Sequence, residues 1–167
     1  MTLLNAPVYN ERAEQTKKVA FFSALAAVVL LVLVTLAGYL FGHGWAFSNL
    51  PAEHTVSTFF SALEEKDYNK AYAIYTHDPE WKEHAAKHKG YPIDRFTEDW
   101  TTESPVGGPV VAHHVDISRT DGTGTFGTGI IVAVSVDTAA AKGKKIFMWY
   151  QKSDGTLTEP APHILQY

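Results

Sequence analysis

The 167-residue chain contains no cysteine. Disulfides, thiolate zinc centres and cysteine nucleophiles are excluded by that absence. So is lipid attachment at a cysteine. Charge is missing from one long stretch. From Val19 to Phe41, 23 consecutive residues include no Asp, Glu, Lys, Arg, Asn, Gln or His. Lysine and arginine are missing over a longer one, with none between Lys18 and Lys66. Internal repeats and low-complexity tracts are lacking too. Beyond residue 42 the chain holds 11 Lys and Arg against 16 Asp and Glu, so this part is mildly acidic. That balance argues against a nucleic-acid partner, which needs a basic face.

The uncharged stretch reads as a membrane anchor. As a helix, 23 residues extend roughly 34 Å at about 1.5 Å per residue. A bilayer's hydrocarbon core is about 30 Å thick. Secretory signals carry shorter apolar runs, about 7–15 residues. The best small-x-small exit, Thr35-Leu36-Ala37, lies inside the run rather than after it. Arg12, Lys17 and Lys18 precede the span, and basic flanks stay cytoplasmic. The N-terminus is thus expected inside and the C-terminal part outside, on a single-pass protein of the cytoplasmic membrane. Tyr39, Trp45 and Phe47 suit the outer headgroup region. Gly38 and Gly42 fit a small-xxx-small pattern at the end of the span, where terminal flexibility explains them better than a helix seam. The expected organisation is a cytoplasmic arm over 1–18, the span over 19–42, a juxtamembrane linker over 43–51 and one domain over 52–167.

Within the domain, helical spacing comes first. Val56, Phe59, Phe60 and Leu63 recur at that spacing in a helix opened by Pro51. Asp67 is placed to cap a second helix carrying Tyr68, Ala71, Tyr72 and Tyr75. A charged piece with Trp81 runs from Pro79 to Lys89, and Gly90 ends it. After Pro92, the residues Ile93, Phe96 and Trp100 form another apolar stripe. Pro105 to Pro109 breaks the chain. The period then changes to two. Val111, His113, Val115 and Ile117 are expected on one face of a strand. Phe126, Thr128, Ile130, Val132, Val134 and Val136 are expected on one face of the next. KKIFMWYQKS and LTEPAPHILQY supply two more strands, with turns at Asp121-Gly122, Ala139–Gly143 and Asp154-Gly155. Pro160 and Pro162 mark the last strand as a broken edge. The pattern is α+β, with helices on one face of an antiparallel four-stranded meander.

The helix FFSALEEKDYNKAYAIY resembles the opening helices of exported bacterial nuclear transport factor 2-like domains. Phe59, Phe60, Ala62, Leu63, Asp67, Tyr68, Ala71 and Tyr72 carry the likeness, which covers roughly residues 52–167. The resemblance implies a cone: a curved sheet wrapped round helices, with a pocket at its open end. Members of that superfamily include isomerases, dehydratases, transport factors and non-catalytic assembly modules, so the fold leaves function open.

Several residues are candidates for chemistry. His113 shares its expected face with apolar residues and would look into the cone as a base or as a core histidine. Tyr72, Tyr75, Trp100 and His113 would line the pocket. Tyr72 and Asp94 are the accompanying acid-base candidates, yet none fits a catalytic motif residue by residue. Adjacent strand residues point to opposite faces, so His113 and His114 cannot share one metal. His114 falls on the outer face with Asp116. His84 and His88, with His77 or Asp78, would form a metal pair on a helix over 79–89, but the sequence is EHAAKHK and three lysines crowd it. Asp121 to Gly129 is glycine-rich without the Lys-Ser/Thr of a phosphate loop. The strand carrying Phe147 and Trp149 is apolar on both faces, so its second face, with His114, is the expected partner surface.

These readings lead to a membrane-anchored, non-enzymatic accessory or assembly subunit. It needs no cofactor and no metal. Its partners would be membrane lipid and either a membrane-protein complex or a second copy bound through the sheet. A small-ligand pocket, or a lyase or isomerase using His113, is the alternative.

Overall fold

The computed structural model describes residues 10–121 and 127–159. It divides into two units, residues 1–37 and 38–167. The described part of the first is almost entirely one helix. α1 runs from Glu11 to Leu40 and buries none of its residues. Leucine, valine and phenylalanine side chains are exposed all around it. Thr35 donates its hydroxyl to the Leu31 carbonyl, so its polar atom is satisfied within the helix. α1 is long and apolar enough to cross a membrane.

The second unit is an α+β domain. Three helices, α2 (Ala46–Glu64), α3 (Tyr68–Tyr75) and α4 (Ile93–Asp99), precede four strands. These are β1 (Val110–Thr120), β2 (Gly129–Thr138), β3 (Lys144–Gln151) and β4 (Leu157–Thr158). They pair antiparallel in the order β1-β2-β3-β4. The expected meander is present, and its last strand is only two residues long. Phe126, Pro160 and Pro162 lie outside the described residues.

α2 starts earlier than its Pro51 suggests. Pro51 lies inside the helix, and the first turn begins at Ala46. The expected linker over 43–51 is therefore mostly helix. What remains of it is also docked. The Gly42 carbonyl accepts from the Ser118 backbone at 3.0 Å, which closes part of the free edge of β1. Buried Asn49 donates to the Ser118 hydroxyl at 3.0 Å, and that hydroxyl donates to the His43 carbonyl at 3.2 Å. Gly44, at φ +59°, sits so close to Asn49 that a Cβ would meet the amide nitrogen. Any side chain there would push Asn49 off Ser118.

α2 ends at a left-handed Lys66, φ 59°. The backbone of Asp67 returns to the Ala62 carbonyl at 2.9 Å. Asp67 then caps α3 by accepting from the Lys70 backbone at 3.0 Å. This cap is where the sequence placed it. Pro92 precedes α4, as expected.

The core fills the space between helices and sheet. Val56, Phe59, Phe60 and Leu63 from α2 meet Ile130, Val132, Val134 and Val136 from β2. Tyr72, Phe96 and Trp100 pack among them, with Phe59 and Trp100 rings 5.1 Å apart and edge-on. Such pairs add about 0.5–1.5 kcal/mol beyond area burial.

β1 departs from the simple alternation. Its register shifts between Val110 and Ala112, and again between Val115 and Ile117. Each bulge inserts a residue and flips the face that follows. Val110 is buried in place of Val111, which is 62% exposed. Ile117 pairs with Ala133, on the side away from Val134. The expected shared face of Val111, His113, Val115 and Ile117 is thus reduced to His113 and Val115.

Candidate functional site

His113 lies against α2. Its Nδ1 is 2.6 Å from Glu64 Oε1, and its Nε2 is 2.9 Å from Ser57 Oγ. The ring stacks on Phe60, with centroids 5.6 Å apart. Ser57, Phe60 and Glu64 are spaced i, i+3 and i+7, which puts them on one helix face. A carboxylate only accepts, so Nδ1 carries the proton facing Glu64. In the neutral ring Nε2 is then the acceptor for the Ser57 hydroxyl.

A groove of about 420 Å³ opens beside this set, lined by His43, Glu53, His54, Ser57, His113 and His114 among others. A second pair stands in it. His43 Nδ1 lies 2.9 Å and 3.0 Å from the two Glu53 oxygens. Glu53 is largely buried.

Among the described residues, the four expected pocket residues Tyr72, Tyr75, Trp100 and His113 do not share one cavity. Tyr72 and Trp100 are packed into the core with Phe59, Phe60 and Phe96. Tyr72 donates its hydroxyl to the Tyr91 carbonyl at 2.6 Å. Burial, then the nearby Asp78 charge, raises its pKa. Tyr75 and Trp100 reach a separate cavity of about 210 Å³, with Tyr91, Asp99 and Glu159. There Tyr91 donates to Asp99 at 2.9 Å. Burial and that bond push the Tyr91 pKa up. Burial and the Asp99 charge raise that of Glu159. Asp94 is exposed in the first turn of α4, a favourable place for a carboxylate at a helix N-terminus. His113 therefore works with Ser57 and Glu64, and not with Tyr72 or Asp94. The physical reason is volume: Tyr72 packs in the core with Phe59, Phe60, Phe96 and Trp100 and does not reach the His113 groove.

His84 and His88 do converge, although residues 79–90 form successive turns rather than a helix. Both face Asp78. His84 Nδ1 is 3.0 Å and His88 Nε2 2.9 Å from Asp78 Oδ2. The His88 bond is the largest influence holding the Asp78 carboxyl below its ordinary range. Among the described residues, no group of three or more His, Cys, Asp or Glu has the arrangement of a metal site.

On the outer face of the sheet, Phe147 is 46% exposed, whereas Trp149 is only 5% exposed. Trp149 packs with Ile131 and lies over Gly129, where a Cβ would meet its ring. The expected partner surface thus retains Phe147 and exposed His114, while Trp149 is covered within the chain. Asp116, next to His114, accepts from Ser135 and from Lys145 Nζ at 2.6 Å. Burial opposes its ionisation, but the Lys145 and Ser135 bonds hold its pKa low. Tyr39, Trp45 and Phe47 are all exposed, with the Trp45 and Phe47 rings 6.2 Å apart.

Sequence reasoning missed Ser57, Glu64, Glu53, His43 and His54. The signal was available for two of them. Ser57 and Glu64 flank Phe60 on a face that otherwise reads apolar. No protein-family profile, curated protein or solved structure matches the chain.

Proposed function

We infer that the chain is a membrane-anchored accessory subunit whose α+β domain lies outside the cytoplasmic membrane and docks on a protein partner there. The observation that carries this reading is an apolar helix, exposed on every side, on the same chain as a domain whose outer sheet face exposes Phe147 and His114. Only Phe41 lies between the last residue of α1 and Gly42, which bonds β1.

The nuclear transport factor 2-like resemblance supports the same role. Its order of helices and then a curved antiparallel sheet fits the observed element order. Assembly modules of that superfamily pair through the sheet's outer face, and here that face offers Phe147, His114 and the Asp116–Lys145 pair. Aromatic residues beside polar ones are what a docking patch needs. Tyr39, Trp45 and Phe47 would rest in the headgroup layer. Basic residues before the span favour an inside N-terminus. Catalysis is not required for this role.

A photo-cross-linking amino acid at position 147, in the full-length chain in its native membrane, tests the reading. A discrete cross-linked protein, absent when the same group replaces Lys82 on the helical side, is the expected result. Cross-links to lipid or solvent alone would refute it.

A further inference from the structure

Hydroxyl side chains inside helices usually bond back to the carbonyl four residues earlier. Two neighbours in α2 do so: Thr55 bonds Pro51 and Thr58 bonds His54. Ser57, between them, instead meets His113 Nε2 at 2.9 Å. The opposite nitrogen of the same ring meets Glu64 at 2.6 Å. A strut joining β1 to α2 would need only the carboxylate. The added hydroxyl, on the basic nitrogen and at the edge of an open groove, is what an acyl-transfer site requires.

We propose that Ser57, His113 and Glu64 form a nucleophile, a base and its positioning residue that hydrolyse small carboxylic esters in this groove. Ser57 Oγ attacks the ester carbonyl carbon while His113 Nε2 takes the hydroxyl proton. The tetrahedral adduct collapses, the alkoxide leaves, and it receives that proton. An acyl ester on Ser57 remains. Water then attacks it, Nε2 takes the water proton, and Ser57 is released with the proton restored. One ester and one water give one acid and one alcohol. Glu64 keeps Nδ1 protonated, which fixes Nε2 as the base and supports the imidazolium formed in each step.

The backbone N–H groups around Ser57 belong to the helix ladder, so the developing oxyanion needs a side-chain donor. His54 lies one turn before Ser57 and lines the same groove. Leu50 and Val115 give that groove a short apolar wall. The lining suits acetyl or butyryl esters rather than long acyl chains.

The test uses the full chain in detergent micelles. A fluorophosphonate probe should label it, with the adduct mapped by mass spectrometry to Ser57. Hydrolysis of p-nitrophenyl acetate should show a burst and then turnover. Ser57→Ala should abolish both, with near-ultraviolet circular dichroism unchanged. Glu64→Gln should lower kcat by about 10³–10⁴-fold with little change in KM and a shifted pH profile, as loss of the carboxylate orienter does in other triads. His54→Phe should lower kcat by about 10²–10³-fold, as loss of one oxyanion donor does. A folded chain without label at Ser57, or hydrolysis unchanged in Ser57→Ala, overturns the proposal. A Glu64→Gln variant with parental kcat and pH profile overturns the role of Glu64.

Discussion

Replacing Ser118 by alanine removes the hydroxyl that ties residues 43–49 to β1. Two bonds go: the one from Asn49 Nδ2 at 3.0 Å and the one to the His43 carbonyl at 3.2 Å. Asn49 and Ser118 are both buried, so the amide nitrogen loses its bond while Oδ1 keeps the Ser48 hydroxyl at 2.8 Å. An orphaned buried polar group costs about 1–3 kcal/mol, and an ordinary lost hydrogen bond about 0.5–1.5 kcal/mol. The substitution should therefore destabilise the domain by about 2–4 kcal/mol. For a domain of this size, roughly 4 °C of melting temperature accompanies each kcal/mol. A fall of about 8–16 °C in Tm is expected, read by tryptophan fluorescence of the micelle-bound chain. Asn49→Ala should cost a similar amount. The double variant should cost less than the sum by about 1–2 kcal/mol, because both changes break the same bond. A Tm within about 2 °C of the parent, or strictly additive effects, would refute the docking of residues 43–49 on β1.

Three further outcomes follow from other parts of the molecule. Gly129→Ala places a Cβ against the Trp149 ring; it should cost about 1–3 kcal/mol as overpacking does, seen in urea midpoints with a shift in Trp149 emission. The folded pKa of Asp78 lies below its ordinary 3.8, so the carboxylate stabilises the fold above that value and the contribution is lost as pH falls through the folded pKa. Asp78→Asn should flatten the acid limb of a urea-midpoint curve between neutral pH and about pH 3, and an unchanged limb would refute the link. The absence of native cysteine makes single-cysteine labelling clean: in intact cells a membrane-impermeant maleimide should react with Ser153→Cys but with Thr16→Cys only after permeabilisation, and the reverse pattern would invert the proposed orientation.

Much of the fold was legible because it rests on period. The α2 stripe, the Asp67 cap and the alternating face of β2 follow from spacing and capping chemistry, and tertiary packing does not oppose them. β1 was misread where spacing loses its meaning. A bulge leaves no mark in Val111–Ile117, and it moved Val111 and Ile117 off the face assigned to them. The Pro51 boundary failed for a similar reason. Proline favours a first turn, but contacts of Asn49 and Glu53 extend the helix back to Ala46. The site was legible only in part. His113 stood out by itself, whereas its partners lie 49 and 56 residues away along the chain. The pocket expectation placed Tyr72 and Trp100 correctly inward. Tyr75 and Trp100 share a cavity, whereas His113 reaches a different one.

The docked turn at residues 42–49 also decides what a protease can do to this protein. Exposed connectors between an anchor and a domain are the usual places where ectodomains are shed intact. Here a cut between Gly42 and Asn49 would release the Gly42 carbonyl from the β1 edge, detach His43 from Glu53 and loosen the buried amide beneath them. The fragment set free would start with an open strand edge, which invites pairing with other chains. Cleavage at this point ends the life of the domain instead of giving it a second, soluble one.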